Sequence, residues 1–296
     1  MIRSILFLIT SISTIFMYSI FLKIFGIHIN YIFLTMIMLT IIFLTYSIIS
    51  LLLSKKTALQ SVNGEIIYVP RNIKEKWLIS AIKNQSKKMC INIPDIAIYK
   101  SLHMNAFATG FQKNNSLIAV SSGLLNNMNK GEIEAVVAHE ITHITNGDMI
   151  TMIVIQSIVN ICVISISYSL IKYFSNIFMS YKIHREYKKI QKSFIFYFLK
   201  NILQFFIKIF STIIVMWFSR NREFYADIGA VELVGKKKMI SVLKKLKNSD
   251  IPKESNSIIT LCIHGRNNII LDLLSSHPSL DKRILAIKKN TKKNKI

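Results

Sequence analysis

Residues 139–143 read His-Glu-Ile-Thr-His. On an α-helix, positions four apart stand above one another on one face, so the His139 and His143 imidazoles can hold one zinc ion between them. Glu140 projects one residue round from His139, placed to reach a water at the metal rather than the metal itself. Zinc lowers the pKa of such a water to about 7. Glu140 can then take its proton and later pass it to the leaving amine of a cleaved peptide. Three fixed positions in five are moderately specific, and the plain alternative is two ordinary surface histidines on an amphipathic helix.

A zinc hydrolase needs a third protein ligand and keeps the fourth position for water. A further histidine shortly downstream is absent, since Met149 stands six residues after His143. A carboxylate from a second helix is the other solution, and Ser219-Arg-Asn-Arg-Glu-Phe-Tyr-Ala-Asp227 offers one. Glu223 and Asp227 are four apart and share a face, so Glu223 can bind the ion while Asp227 accepts a hydrogen bond from a ligand histidine's other nitrogen. Alternatively, both acids pair with Arg220 and Arg222 on a solvated face. Asp148 either caps the helix that follows it or supports the site, and capping is the simpler reading. His277, just before Pro278, and Arg283 read from the residues alone as a helix start and a solvated charge.

The elements that must position these groups are partly visible. Asn129 and Glu132 make a capping box that opens a helix through His143, and Asn146-Gly147 stops it. Trp77 to Met89 reads as a helix ahead of the strand-like INIPDIAIY. Asn105–Phe111 and Ser116–Ser121 read as strands of a hairpin joined through Gln112–Asn115. KKKMISVLKKLK is an amphipathic helix in a polar carboxy-terminal region with a basic tail.

Four long apolar runs frame these elements, at residues 4–22, 29–53, 149–171 and about 194–218. Half of the 296 residues are hydrophobic (51%), and glycine and proline number only 9 and 4. The mean hydropathy is +0.41, above what a soluble globular domain carries, so membrane spans are expected. The division that follows is a helical hairpin over 1–54, a cytoplasmic part with the histidine helix over 55–148, the third and fourth apolar helices with a basic loop over 149–218, and a second cytoplasmic part over 219–296. Arg3 and Lys55-Lys56 flank the first hairpin and put both its ends in the cytoplasm, with Lys23 weakly opposed. The loop from Lys182 to Lys192 is basic, and the fourth run carries Lys200 and Lys208. The third and fourth runs therefore either cross with that loop tolerated outside or form a hairpin packed partly on protein. The net charge of +23 comes without a nucleic-acid-binding signature. It fits anionic lipid headgroups and compositional drift, and no nucleic-acid partner is expected. Cys90, Cys162 and Cys262 form no disulfide pattern, which suits a reducing compartment.

HEITHITNGDM, SRNREFYADIGA, NAFATG and SSHPSLDKRI, in that order and interleaved with the apolar runs, resemble the HtpX family of bacterial membrane-bound zinc metalloproteases, related to the CAAX prenyl proteases. The resemblance covers essentially the whole chain. It implies a mainly α, integral membrane fold with a zincin-type (gluzincin) protease domain, a small β-hairpin or sheet and about four apolar helices. It also implies a multi-pass protein of the bacterial inner membrane, holding one zinc ion per chain and cleaving damaged or misassembled membrane proteins and other polypeptides on the cytoplasmic side of the bilayer. By the same comparison His139, His143 and Glu223 are the metal ligands, and Asp227 supports a ligand histidine. His277 steadies the oxyanion, Arg283 supplies a supporting charge, and Asn105, Ala106, Phe107 and Ala108 form an edge strand that receives substrate. A non-catalytic membrane scaffold would have no need to keep the His139-Glu140-x-x-His143 pattern, Glu223 and Asp227 together. A channel would need charges inside spans, where Lys200 and Lys208 are the candidates.

Overall fold

The computed structural model describes residues 29–180, 187–249 and 277–293. Its elements are α1 (Ile29–Val62), β1 (Glu65–Ile66), α2 (Ile73–Lys88), β2 (Asp95–Tyr99), β3 (Ala106–Gln112), β4 (Asn115–Ser121), α3 (Ser122–Asn127), α4 (Lys130–Asn146), α5 (Asp148–Ser180), α6 (Tyr187–Val234), α7 (Lys236–Asn248) and α8 (Leu280–Lys293). The described residues of Ser50–Met152 and Met216–Ile296 make up one compact unit, and those of Met1–Ile49 and Ile153–Val215 the other. All candidate site residues belong to the first.

That unit is built on a four-stranded sheet of order β1-β2-β4-β3. β1 pairs antiparallel with β2, β2 runs parallel to β4, and β3 and β4 form the expected antiparallel hairpin. β4 is central, and its side chains are buried on both faces. Ile118 and Val120 face Leu78 and Ile82 of α2 and Ile133, Val137 and Ile141 of α4. Leu117 and Ala119 face the other way, packing with Ala97, Tyr99 and Phe107 under Ala58, Leu59 and Val62 of α1. A strand buried on two sides has no polar face to show, which explains the unbroken apolar run. β3 lies at the edge of the sheet.

α4 carries the chemistry, and both its ends are pinned locally. Asn129 Oδ1 accepts from the Glu132 N–H at 2.9 Å, and Glu132 Oε2 accepts from the Asn129 N–H at 2.9 Å. Gly147 closes the helix in the left-handed region (φ 65°, ψ 38°), with its N–H turned back to the carbonyls of His143 and Ile144. α5 starts at the next residue. α7 and α8 complete the core, burying Met239, Val242, Leu243 and Leu246 with Leu280, Ile284 and Ile287. Lys245 pairs with Glu132 at 2.9 Å, and Ser241 donates to the same carboxylate at 3.0 Å.

α6 meets α4 where Gly229 faces Thr142. A methyl group on residue 229 would sit 2.4 Å from Thr142 Cγ2, so the two helices reach this separation only because that position has no side chain.

Several boundaries differ from the sequence reading. The helix expected from Trp77 starts at Ile73, because the Asn72 side chain caps it by accepting from the Glu75 N–H. The change of character expected at residue 219 falls inside α6, one helix of 48 residues that joins the fourth apolar run to Glu223 and Asp227. Residues 187–192 of the basic stretch are its first turns. The backbone is helical through the apolar runs at 29–53 and 149–171, while the run at 4–22 lies outside the described residues. Among residues whose side chains are described, no helix is long and apolar enough to cross a membrane.

Candidate metal centre

The i, i+4 spacing on α4 sets the two imidazoles edge to face, with their Nε2 atoms 3.1 Å apart. Glu223, reaching in from α6, places Oε2 at 3.4 Å from His139 Nε2 and Oε1 at 3.4 Å from His143 Nε2. These three residues bring potential ligand atoms together within 4.8 Å of one another. A tetrahedral ion with ligand bonds of about 2.0–2.1 Å has ligand-to-ligand edges of about 3.3 Å. The observed separations are of that size.

Each outer nitrogen faces a carboxylate. His139 Nδ1 lies 3.1 Å from Asp227 Oδ1, and His143 Nδ1 lies 2.6 Å from Asp148 Oδ2. A carboxylate at Nδ1 holds the proton there and leaves a lone pair on Nε2. Two such lone pairs and a carboxylate therefore converge on one point, an arrangement that a cation reconciles.

Charge balance points the same way. Glu140, Asp148, Glu223 and Asp227 are four buried carboxyl groups, against the two buried guanidinium groups of Arg222 and Arg283. Even with Glu140 protonated, three carboxylates stand against two guanidinium groups, and buried charge is costly unless it is compensated. A divalent ion supplies that compensation.

Arg283, from α8, is fully buried. Its Nε donates to Asp227 Oδ2 at 2.8 Å, its Nη2 donates to Asp227 Oδ1 at 2.5 Å, and its Nη1 lies 3.2 Å from Glu223 Oε2. His277 brings Nδ1 to 3.0 Å from the same Glu223 oxygen. Burial alone would raise the Glu223 carboxyl, but His277, Arg283, His139 and His143 together hold it well below the usual carboxylate range. Asp227 is likewise lowered, since Arg283 and His139 outweigh its burial. Glu140 goes the other way. Burial and the neighbouring Glu223 push its carboxyl up, against the opposing pull of His139 and His143. A carboxyl held above its ordinary range is a better proton acceptor than an unshifted one.

The solvated-face alternative for Glu223 and Asp227 does not hold, because both are buried and both face His139 and Arg283. Asp148 does more than open α5, since its carboxylate joins His143 to Arg222 Nη2 at 3.0 Å. Neither that contact nor the role of Arg222 was read from the sequence. The only local signals were a carboxylate directly after the helix-stopping glycine and an arginine next to Glu223. Arg283, which the residues alone suggested was solvated, is enclosed. Asn105 is buried just ahead of β3, and Ala106 belongs to the same core cluster as Val137, Ala138 and Ile141 of α4. Phe107 packs on the opposite face of the sheet, and Ala108 is half-buried.

A helix-borne His-Glu-x-x-His completed by a buried carboxylate from a second helix, beside a small sheet, defines a metalloprotease. The chain belongs to peptidase family M48, whose profile matches residues 72–291. It is 47% identical over 288 residues to Protease HtpX of Buchnera aphidicola subsp. Schizaphis graminum, covering 97% of this chain and 98% of that protein. To Protease HtpX of Sodalis glossinidius it is 42% identical over 288 residues, again covering 97% and 98%. Among solved structures, Ste24p of S. mikatae superposes with a TM-score of 0.61 at 19% identity, covering 93% of this chain and 62% of that one. The chain thus spans about three-fifths of that protein, and the likeness is one of fold.

Proposed function

We propose that this chain is a zinc-dependent, membrane-embedded endopeptidase that cleaves membrane proteins, damaged or misassembled ones among them, on the cytoplasmic side of the bacterial inner membrane. The observation that carries the reading is the convergence of His139 Nε2, His143 Nε2 and the Glu223 carboxylate at tetrahedral-edge separations, with Glu140 buried beside them.

His139, His143 and Glu223 would hold zinc here, and the ion would supply Lewis acidity that lowers the pKa of water to about 7 and polarises a carbonyl. Glu140 takes a proton from the attacking water at its carboxylate and returns it to the departing amine. His277 donates toward the carbonyl oxygen as negative charge gathers there, a kind of contact that contributes about 3 kcal/mol to such reactions. Arg283 and Asp227 keep Glu223 and His139 in place.

Substrate is held by strand addition at β3. The Ser121 N–H donates to the Asn105 carbonyl at 2.9 Å, and Ala106 stands opposite Val120. In that register Asn105 and Phe107 bond inward to β4, and Ala106 and Ala108 turn their N–H and C=O groups to the open edge. The membrane reading is supported by large apolar side chains left exposed along α1 and α6, among them Ile49, Leu52, Phe206 and Phe210. Their natural solvent is lipid.

The test is Glu140→Gln in the full-length, detergent-solubilised protein. The variant should keep one zinc per chain and lose casein hydrolysis, and the wild-type activity should vanish with phenanthroline. Full proteolysis by the variant removes Glu140 as the base.

A further inference from the structure

We propose that Asp148 and Arg222 form a positioning pair that fixes the ring of His143, and that through this pair α6 governs both nitrogens of that ring. The inference rests on the metal reading above and concerns residues to which that reading gives no task.

His143 Nδ1 lies 2.6 Å from Asp148 Oδ2, and Asp148 Oδ1 lies 3.0 Å from Arg222 Nη2. Asp148 and Arg222 are 7% and 8% exposed, so the charges face each other and not water. A carboxylate that merely capped α5 would do so from the surface and would need no buried guanidinium. Burying this ion pair is costly unless its geometry serves something. The other imidazole shows what it serves. His139 Nδ1 meets Asp227, and Asp227 is held by Arg283. Each ring thus has an aspartate at its outer nitrogen and a buried arginine behind the aspartate, built in one case from α8 and in the other from α6.

Arg222 and Glu223 are adjacent on α6. Glu223 approaches His143 at Nε2, and Arg222 reaches the same ring's Nδ1 through Asp148. A small rotation of α6 therefore moves the ligand carboxylate and the support of His143 together. The outer partner of a ligand histidine sets its tautomer and orientation, and its loss typically costs about 10- to 100-fold in metal affinity or activity.

The experiment measures zinc affinity of the full-length protein by chelator competition, together with the visible absorption of the cobalt-substituted form and the melting temperature. Asp148→Ala should weaken zinc binding about 10- to 100-fold and alter the cobalt bands. Asp148→Asn leaves one acceptor oxygen for two donors, so it should weaken zinc binding by less than the alanine change, and Arg222→Ala made on it should change little further. Arg222→Ala should weaken binding when Asp148 is present and change little when residue 148 is already alanine. Should Asp148→Ala fail to fold, the asparagine variant and the Arg222→Ala comparison made on it carry the test. Wild-type affinity and an unaltered cobalt spectrum in a folded Asp148→Ala protein, or fully additive losses at 148 and 222, overturn the pair while leaving the metal centre intact. A wild-type protein that takes up no metal overturns the metal reading itself, and the pair with it.

Discussion

Gly229 of α6 lies against Thr142 of α4 so closely that a methyl group would stand 2.4 Å from Thr142 Cγ2 and 2.9 Å from its Oγ1. Thr142 cannot easily yield, since its hydroxyl donates to the Ala138 carbonyl at 2.8 Å and the residue is buried between His139 and His143 in sequence. Contact at this point sets how near Glu223 comes to the imidazoles.

Gly229→Ala should therefore push the helices apart. Overpacking of this kind costs about 1–3 kcal/mol, but the loss in zinc affinity should exceed what the drop in melting temperature implies, because the carboxylate is withdrawn. Chelator competition beside a thermal melt checks this. Thr142→Ser, which removes Cγ2 and keeps the hydroxyl, should partly rescue the double variant.

The Glu132–Lys245 contact makes the fold acid-sensitive. Burial raises the Glu132 carboxyl, yet the bonds from Lys245, the Asn129 N–H and Ser241 lower it below its ordinary value of 4.5. The folded state thus holds this proton less tightly than the unfolded one. The resulting stability is present above that value and is lost as pH falls through the folded pKa. Lys245→Met should flatten the fall in melting temperature on acidification from about pH 6 to about pH 3, while zinc content at neutral pH stays unchanged. An acid limb as steep as in wild type would exclude this contribution.

The open edge of β3 predicts how peptides are held. Ala108→Pro removes one outward N–H at a position where an edge strand tolerates proline. It should raise KM for a peptide substrate with little change in kcat or zinc content. Peptides N-methylated at alternate bonds should show the same split. An unchanged KM in both experiments places the substrate elsewhere.

Local spacing made much of this legible. The capping box at Asn129 and Glu132 and the glycine stop at 147 bracket α4 because both are carried by side chains three residues apart or by a single backbone conformation. The spacings of His139 with His143 and of Glu223 with Asp227 put each pair on one helical face. What escaped depends on contacts distant in sequence. β1 is two residues long and exists through its pairing with β2, and the parallel alignment of β2 with β4 leaves no local trace. Arg222 could not be matched to Asp148 across 74 positions of sequence, and Arg283 looked solvated because its partners lie on α4 and α6. α6 runs unbroken past residue 219 because a change from apolar to polar residues alters a helix's surroundings without interrupting its backbone hydrogen bonds.

Zinc K-edge absorption on the purified full-length chain, compared with Glu223→Ala, tests the central claim most directly. The wild type should show one zinc per chain with two imidazoles and oxygen ligands at about 2.0–2.1 Å. The variant should lose most of its metal, with any residue bound by imidazole alone. Sulfur in the coordination sphere, or a Glu223→Ala protein that keeps full occupancy with an unaltered spectrum, would contradict the account.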